Sequence, residues 1–308
     1  MFQETKESVE RTSTQQQTSA QQQLEKPKVS AEIKVFSREE FLLSSYYAEA
    51  TPEAPYYLVV ETRKGEQSTP EGRGNQCIPL IGDATSPTGK TSLTISTSEG
   101  SLRFNISPEG NIELLSAPPK LKLAINTPGV VSHEGNYKST ALAVTAKSFF
   151  NKGGKLSVDN LSLNCTTAII NNGVIETKNL QVSGKSKLTN AKCAEIIVAQ
   201  RCIIQQASEL KNLGLIRTGR EGCALDVGTA QNAGTLSSLG TIELTTSEKL
   251  HNYPNATMRA HQKLIIHQAP EVVNQGTLEG KKGLEFKKHP SSPYQRVVNG
   301  KRGILLSG

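Results

Sequence analysis

The chain has no tryptophan, five cysteines, three aspartates and a 5% aromatic share among its 308 residues. Each shortage excludes something. A compact enzyme of this length normally fills its core with more aromatic volume, so the composition argues for a narrow core of Leu, Ile and Val. Cys77, Cys165, Cys193, Cys202 and Cys223 are odd in number and contain no C-x-x-C pair, which argues against a disulfide framework and against a zinc site. Cys193, Cys202 and Cys223 are expected to fill the core as small apolar residues. Asp83, Asp159 and Asp226 are too few and too scattered for a carboxylate-rich calcium or acid/base centre. No apolar run approaches a membrane span, and Met1 to Glu25 lacks the apolar segment of a signal peptide.

What the sequence does have is an asparagine that returns. It stands at Asn151, Asn171, Asn190, Asn212, Asn232, Asn252 and Asn274, at gaps of 20, 19, 22, 20, 20 and 22 residues. Five copies read Asn-x-Gly, with Gly153, Gly173, Gly214, Gly234 and Gly276. An apolar residue precedes each Asn by two places, and an apolar-x-apolar pair follows in phase, as in Leu161/Leu163, Leu180/Val182 and Ile242/Leu244. This is the signature of short, half-buried strands in a solenoid. The predicted fold is all-β: a parallel β-helix of coils of about 20 residues. Asn and Gly tolerate positive φ and suit the corners. The corner Asn side chains could stack as a ladder or serve only as turn residues.

Four regions are expected. Residues 1–30, rich in Gln, Ser and Thr, read as a disordered tail. Residues 31–90 form an irregular cap, with a capping box at Ser37–Glu40 and a helix over 38–48 ended by Pro52 and Pro55. A strand follows at Tyr56–Val60, and a polar loop covers Glu66 to Asn75. Residues 91–140 read as irregular early coils, and residues 141–308 as regular repeats that stop without a cap, as a fragment of a longer protein would. Corner substitutions are expected to act locally, and a charge placed at Leu163 or Leu244 to unfold its coils.

The segments Phe149–Leu156, Ile170–Ile175 and Val273–Leu278 resemble the haemagglutinin repeat of filamentous-haemagglutinin-like exoproteins. The resemblance covers roughly residues 141–300. It implies a right-handed parallel β-helix, secreted or displayed on a bacterial surface by two-partner secretion with an outer-membrane partner. It further implies a non-enzymatic role in adhesion or as the stalk of a contact-delivered toxin, with a host receptor or glycan as ligand. The family's secretion domain is not recognisable, and Asn190-Ala191-Lys192 and Asn252-Tyr253-Pro254 lack the glycine.

A carbohydrate-active β-helix would show two or more carboxylates lining a cleft. Glu243 and Glu285 hold equivalent outward places two coils apart. A structural or host-interaction protein of an intracellular bacterium is a further alternative. Ala84–Thr91 approximates a phosphate loop, but Ala84 replaces the required Gly and the following residues are strand-like, which favours a surface loop. His133, His251, His261, His267 and His289 are expected at the surface. The net charge of +7 is dispersed and lacks aromatic interleaving, so no nucleic-acid partner is expected. No catalytic residue, cofactor or metal ligand is assigned.

Overall fold

The computed structural model describes residues 29–49, 53–64, 73–80, 89–97, 99–287 and 296–308. The strands, in chain order, are β1 Val29–Ser37, β2 Tyr56–Lys64, β3 Arg73–Pro79, β4 Thr91–Thr97, β5 Gly100–Ile106, β6 Ile112–Ser116, β7 Lys122–Asn126, β8 Val130–His133, β9 Asn136–Asn151, β10 Lys155–Asn171, β11 Val174–Ser183 and β12 Lys187–Asn190. They continue as β13 Glu195–Asn212, β14 Leu215–Thr218, β15 Cys223–Asn232, β16 Thr235–Ser238, β17 Ile242–Asn252, β18 Thr257–Ala260, β19 Leu264–Gln268, β20 Glu271–Asn274, β21 Thr277–Gly280, β22 Leu284–Phe286, β23 Arg296–Asn299 and β24 Ile304–Ser307. The helix among the described residues is α1, Arg38–Leu42.

From β7 onward the chain winds as a parallel β-solenoid of about 9 turns. Each coil lays one strand segment on each of three faces. The first face stacks segments such as Lys155–Val158, Val174–Thr177, Glu195–Val198 and Leu215–Thr218. The second stacks Lys122–Asn126, Ala141–Thr145, Asn160–Asn164, Asn179–Val182 and their successors down to Leu284–Phe286. The third stacks Ser148–Asn151, Ala168–Asn171, Lys187–Asn190, Glu209–Asn212 and so on to Arg296–Asn299. At the spacing of neighbouring strands the stack is roughly 43 Å long.

The alternating pattern works as its physics requires. One residue in two points inward, and like sits on like. In one column Leu123, Leu142, Leu161, Leu180, Cys202, Cys223, Ile242 and Leu264 follow each other coil by coil. All eight are buried. Burying each Leu or Ile stabilises the stack by about 1.5–3 kcal/mol before entropy is counted. Ion pairs cross neighbouring coils on the outside: Lys187 with Glu209, Lys249 with Glu271 and Arg259 with Glu279 stand directly in register.

The N-terminal end differs from the expectation of irregular coils. Two antiparallel meanders close it. In one, β1 pairs with β2 and β2 with β3, while β1 adds in parallel to β7 at the top of the second face. In the other, β4, β5 and β6 are antiparallel, and β6 adds in parallel to β8 at the top of the third face. Antiparallel pairing lets the chain reverse in a tight turn and turns aside an edge that would otherwise template another strand. Parallel stacking therefore begins at 112–126, before residue 141.

The helix is also shorter than the expected 38–48. The Ser37–Glu40 capping box is present, but α1 ends at Leu42 because Leu43 and the residues after it turn away. Its buried residue, Phe41, stacks on Tyr57 at 4.0 Å between ring centroids. The strand expected at Tyr56–Val60 runs on to Lys64, and Arg73–Asn75, expected in a loop, belongs to β3. The expected disordered tail, residues 1–28 of it, lies outside the described residues.

Candidate functional site

The corner asparagines meet inside the solenoid. Asn151 Nδ2 donates to Asn171 Oδ1 at 2.7 Å. The same bond links Asn171 to Asn190, Asn190 to Asn212, Asn212 to Asn232, Asn232 to Asn252 and Asn252 to Asn274 at 2.8–2.9 Å. It then continues from Asn274 to Asn299 at 2.8 Å. Asn299, 25 residues on, escapes a 20-residue count because the coil between is longer. The seven predicted asparagines are buried. The second amide hydrogen of each points to the carbonyl of the first strand residue in the next coil, such as Glu195 for Asn171 and Leu215 for Asn190. Buried amides need such partners, and here each coil supplies them to its neighbour.

The glycines have a different task. A Cβ on Gly173, Gly214, Gly234 or Gly276 would lie 2.1–2.4 Å from a carbonyl oxygen of the coil before it. In the first corner it is Gly154 that sits against the preceding backbone, 1.9 Å from Gly135 O, while Gly153 faces open space. That corner holds one residue more than the Asn171 corner. The two corners without glycine hold two more: Glu195 starts its strand five residues after Asn190, whereas Val174 follows Asn171 by three. Ala194 O and Ala256 O are the carbonyls against which Gly214 and Gly276 of the following coils sit, and Cys193 and Asn255 adopt φ 65°. Cys193 is exposed at this turn, contrary to its expected place in the core; Cys165, Cys202 and Cys223 are buried.

Above the ladder stands His133, in register with Asn151. It is fully buried, contrary to the expected surface position. Nε2 lies 3.0 Å from Gly135 O and Nδ1 3.4 Å from Leu114 O. Burial holds its pKa below the usual imidazole value, against the pull of these carbonyls. Asn151 Oδ1, facing it, is buried with no hydrogen-bond partner. Of the others, His251 stacks on Tyr253 at 3.8 Å, His261 is exposed, and His267 pairs with Glu243 at 3.2 Å. His289 lies outside the described residues.

A hollow of about 270 Å³ lies on the first face beside Lys138, Ser157, Glu176 and Lys178, and two more lie on the second face. One, of about 280 Å³, is floored by Ala124, Ala141 and Ala143 and reaches Glu32 and Glu61. The other, of about 500 Å³, is lined by Asn160, Ser162, Asn179, Gln181, Arg201 and Glu221 among others. The second-face hollows exist because outward positions of successive coils hold small side chains: Ala124, Ala143 and Ser162 are neighbours in register. Asn179 Nδ2 donates to Asn160 Oδ1 at 3.0 Å on this surface.

Sequence reasoning missed the group at the head of this face. Glu32 and Glu61 are cross-strand partners, a like-charge pair that is unfavourable alone. Lys34 Nζ sits 3.3 Å from Glu32 Oε1 and 3.8 Å from Glu61 Oε1, and the Tyr46 hydroxyl donates to Glu61. That hydrogen bond raises the Tyr46 pKa; burial draws Lys34 down, but the two carboxylates outweigh it and leave it raised. The signal was Glu-x-Lys on a strand, which becomes a site only when β2 is laid beside β1.

The remaining candidates separate. Glu243 and Glu285 are two coils apart with Ile265 between them, and Glu285 is held by Lys263 at 2.8 Å. Asp159 pairs with Lys178 at 3.1 Å. Lys90 is bonded to Glu113, and the strand β4, rather than a helix, follows it. Residues 84–88 lie outside the described residues. Among the described residues no three His, Cys, Asp or Glu gather to hold a metal, and no helix is long and apolar enough to cross a membrane. No family model, curated protein or solved structure matches this chain.

Proposed function

We propose that this chain is a non-enzymatic segment of a large bacterial surface or secreted exoprotein, acting as an adhesive rod or as the stalk of a delivered toxin. The observation that carries the reading is the unbroken buried asparagine column running beside a polar, hollowed face. A stack in which every coil is bonded to the next resists bending. The second face offers Asn160, Ser162, Asn179, Gln181 and Arg201 as hydrogen-bonding groups to an extended ligand. Amides, a hydroxyl and a guanidinium suit a glycan strand that lies along the coils.

The test is binding of the purified chain to immobilised bacterial and host glycans, with the triple variant N160A/Q181A/R201A as control. Retained folding with binding weakened at least about tenfold is expected, since three lost hydrogen bonds at about 0.5–1.5 kcal/mol each sum to about 1.5 kcal/mol or more. Binding that the triple variant leaves unchanged removes this face from the reading. Fractionation of the source bacterium checks export: a chain confined to the cytoplasm favours the host-interaction alternative.

A second reading has one observation in its favour. Glu32 and Glu61 are two carboxylates bordering one hollow, the arrangement a glycan-cleaving β-helix needs. Release of reducing ends or unsaturated products from polysaccharides, abolished by Glu61→Gln, would establish it over the adhesive one.

A further inference from the structure

Cys202 and Cys223 are 21 residues apart in sequence and directly opposed in register on neighbouring coils of the second face. Both point into the core, between Leu180 on one side and Ile242 on the other. Every other position of that column from Leu123 to Leu264 holds Leu or Ile, so the two smaller residues fall together. The remaining thiols are placed otherwise. Cys165 is buried in register with Ala146, and Cys77 and Cys193 are exposed.

The backbone geometry matches a covalent link. Neighbouring parallel strands bring opposed Cα atoms to about 4.8 Å. Disulfides span Cα separations of roughly 4.4–6.8 Å. Side chains directly opposed in register leave the sheet on the same side with Cβ atoms about 4.8 Å apart, so the two coils must close by a few tenths of an ångström to reach the roughly 3.5–4.5 Å Cβ separation of a disulfide.

We propose that Cys202 and Cys223 form an intercoil disulfide that staples the coil of β13 to the coil of β15, made while the chain folds and in exchange with a small-molecule disulfide such as oxidised glutathione. One cysteine thiolate attacks a glutathione sulfur, forming a mixed disulfide and releasing one glutathione thiolate. The second cysteine thiolate attacks the protein sulfur of that mixed disulfide, closes the bond and releases the second glutathione. Two protein thiols are oxidised, one glutathione disulfide is reduced to two thiols, and the two cysteine protons end on the glutathione.

Timing follows from burial. In the folded stack both sulfurs are shut away, and contact with Cys202 together with burial holds the Cys223 thiol well above its ordinary pKa. A buried protonated thiol is a poor nucleophile, so exchange belongs to the open chain. The staple closes a loop of intermediate length and removes freedom from the unfolded state. It is independent of the adhesive reading.

The experiment uses the full chain with Cys77→Ala and Cys193→Ala, unfolded in denaturant with reductant and refolded with oxidised or with reduced glutathione. Oxidised refolding is expected to lower the intact mass by about 2 Da, to leave only Cys165 alkylatable in denaturant, and to yield one cross-linked peptide pair containing Cys202 and Cys223. The oxidised form is expected to melt roughly 5–10 °C above the reduced form. Cys202→Ser in the same background abolishes both the link and the shift. Overturning results are three alkylatable cysteines after oxidised refolding, stable glutathione adducts on Cys202 or Cys223, or a cross-link to Cys165. The parent chain's peptide map reads the bond directly whether or not the Cys202→Ser chain folds: a Cys202–Cys223 pair supports the staple, and its absence after oxidised refolding overturns it.

Discussion

Asn190 Nδ2 lies 2.9 Å from Asn212 Oδ1 although 22 residues separate them, and Asn212 Nδ2 lies 2.8 Å from Asn232 Oδ1 across 20. The contact is indifferent to the length of the coil between. Relative to the Asn171–Asn190 coil, two extra residues are taken up at the corner after Asn190, where the Ala194 N–H bonds back to Ala191 O, and one at the irregularity between Val198 and Arg201, after which the strands resume in register. The column of amides is therefore an organising element of the stack, and the corners adapt to it.

This changes what a corner substitution should do. Asn212→Leu removes the acceptor of Asn190 and the donor to Asn232 inside a buried column. A loss of about 2–4 kcal/mol is expected, since buried amides are left unpaired on both sides. Leu244→Asp, at a fully buried position, should cost more, because an unpaired carboxylate in the core is the least tolerated change. Asn179→Ala, on the surface, should cost less than about 0.5 kcal/mol. Urea unfolding of the three variants checks the order; an Asn212→Leu chain as stable as Asn179→Ala would count against the ladder.

The first corner separates two adjacent glycines. Gly154→Ala would place a Cβ 1.9 Å from Gly135 O at φ +75°, whereas Gly153→Ala meets nothing. Gly154→Ala should lower stability by about 3 kcal/mol or more, combining steric overlap with positive-φ strain. Gly153→Ala meets no atom but must hold φ +153°, which L side chains rarely adopt, so it should cost about 1–2 kcal/mol, less than Gly154→Ala because no steric overlap is added. Melting temperatures of the two variants, measured side by side, give the comparison.

His133 makes the cap sensitive to acid. Its ordinary pKa of 6.5 is lowered in the folded chain, chiefly by burial. Above 6.5 the imidazole is neutral in both states. As pH falls from 6.5 toward the folded value, the unfolded chain binds the extra proton and stability declines. The backbone contacts at Leu114, Gly135 and Lys155 and the charge of Glu134 oppose this only in part. Melting temperature between pH 7.5 and pH 5 should fall more in the wild type than in His133→Asn. That substitution also offers an amide to the unpaired Asn151 Oδ1, so at pH 5 it should be the more stable protein by about 1 kcal/mol.

The repeat, the strand class and the identity of the corner residues were legible in the chain, because a two-residue alternation and a recurrent Asn are local facts. Whether the asparagines form a ladder was open, since burial of a corner depends on the coils above and below it. Gly153 looked like the corner glycine from its spacing, yet one inserted residue moved the close contact to Gly154. His133 carries no local sign of burial; it lies inside because β8 joins the stack one coil earlier than the regular Asn pattern suggests. The meanders at the N-terminal end could not be told from coils, because parallel and antiparallel strands share one alternation.

The sequence by itself determined a stacked parallel solenoid, since an Asn with the same flanking alternation, returning every 19–22 residues, brings like residue over like once per coil. The tertiary structure alone decided which polar groups meet: Glu32 with Glu61, His133 with the head of the ladder, Cys202 with Cys223. Those encounters depend on register between segments distant in sequence, and register is set by the packing of the whole stack against its cap.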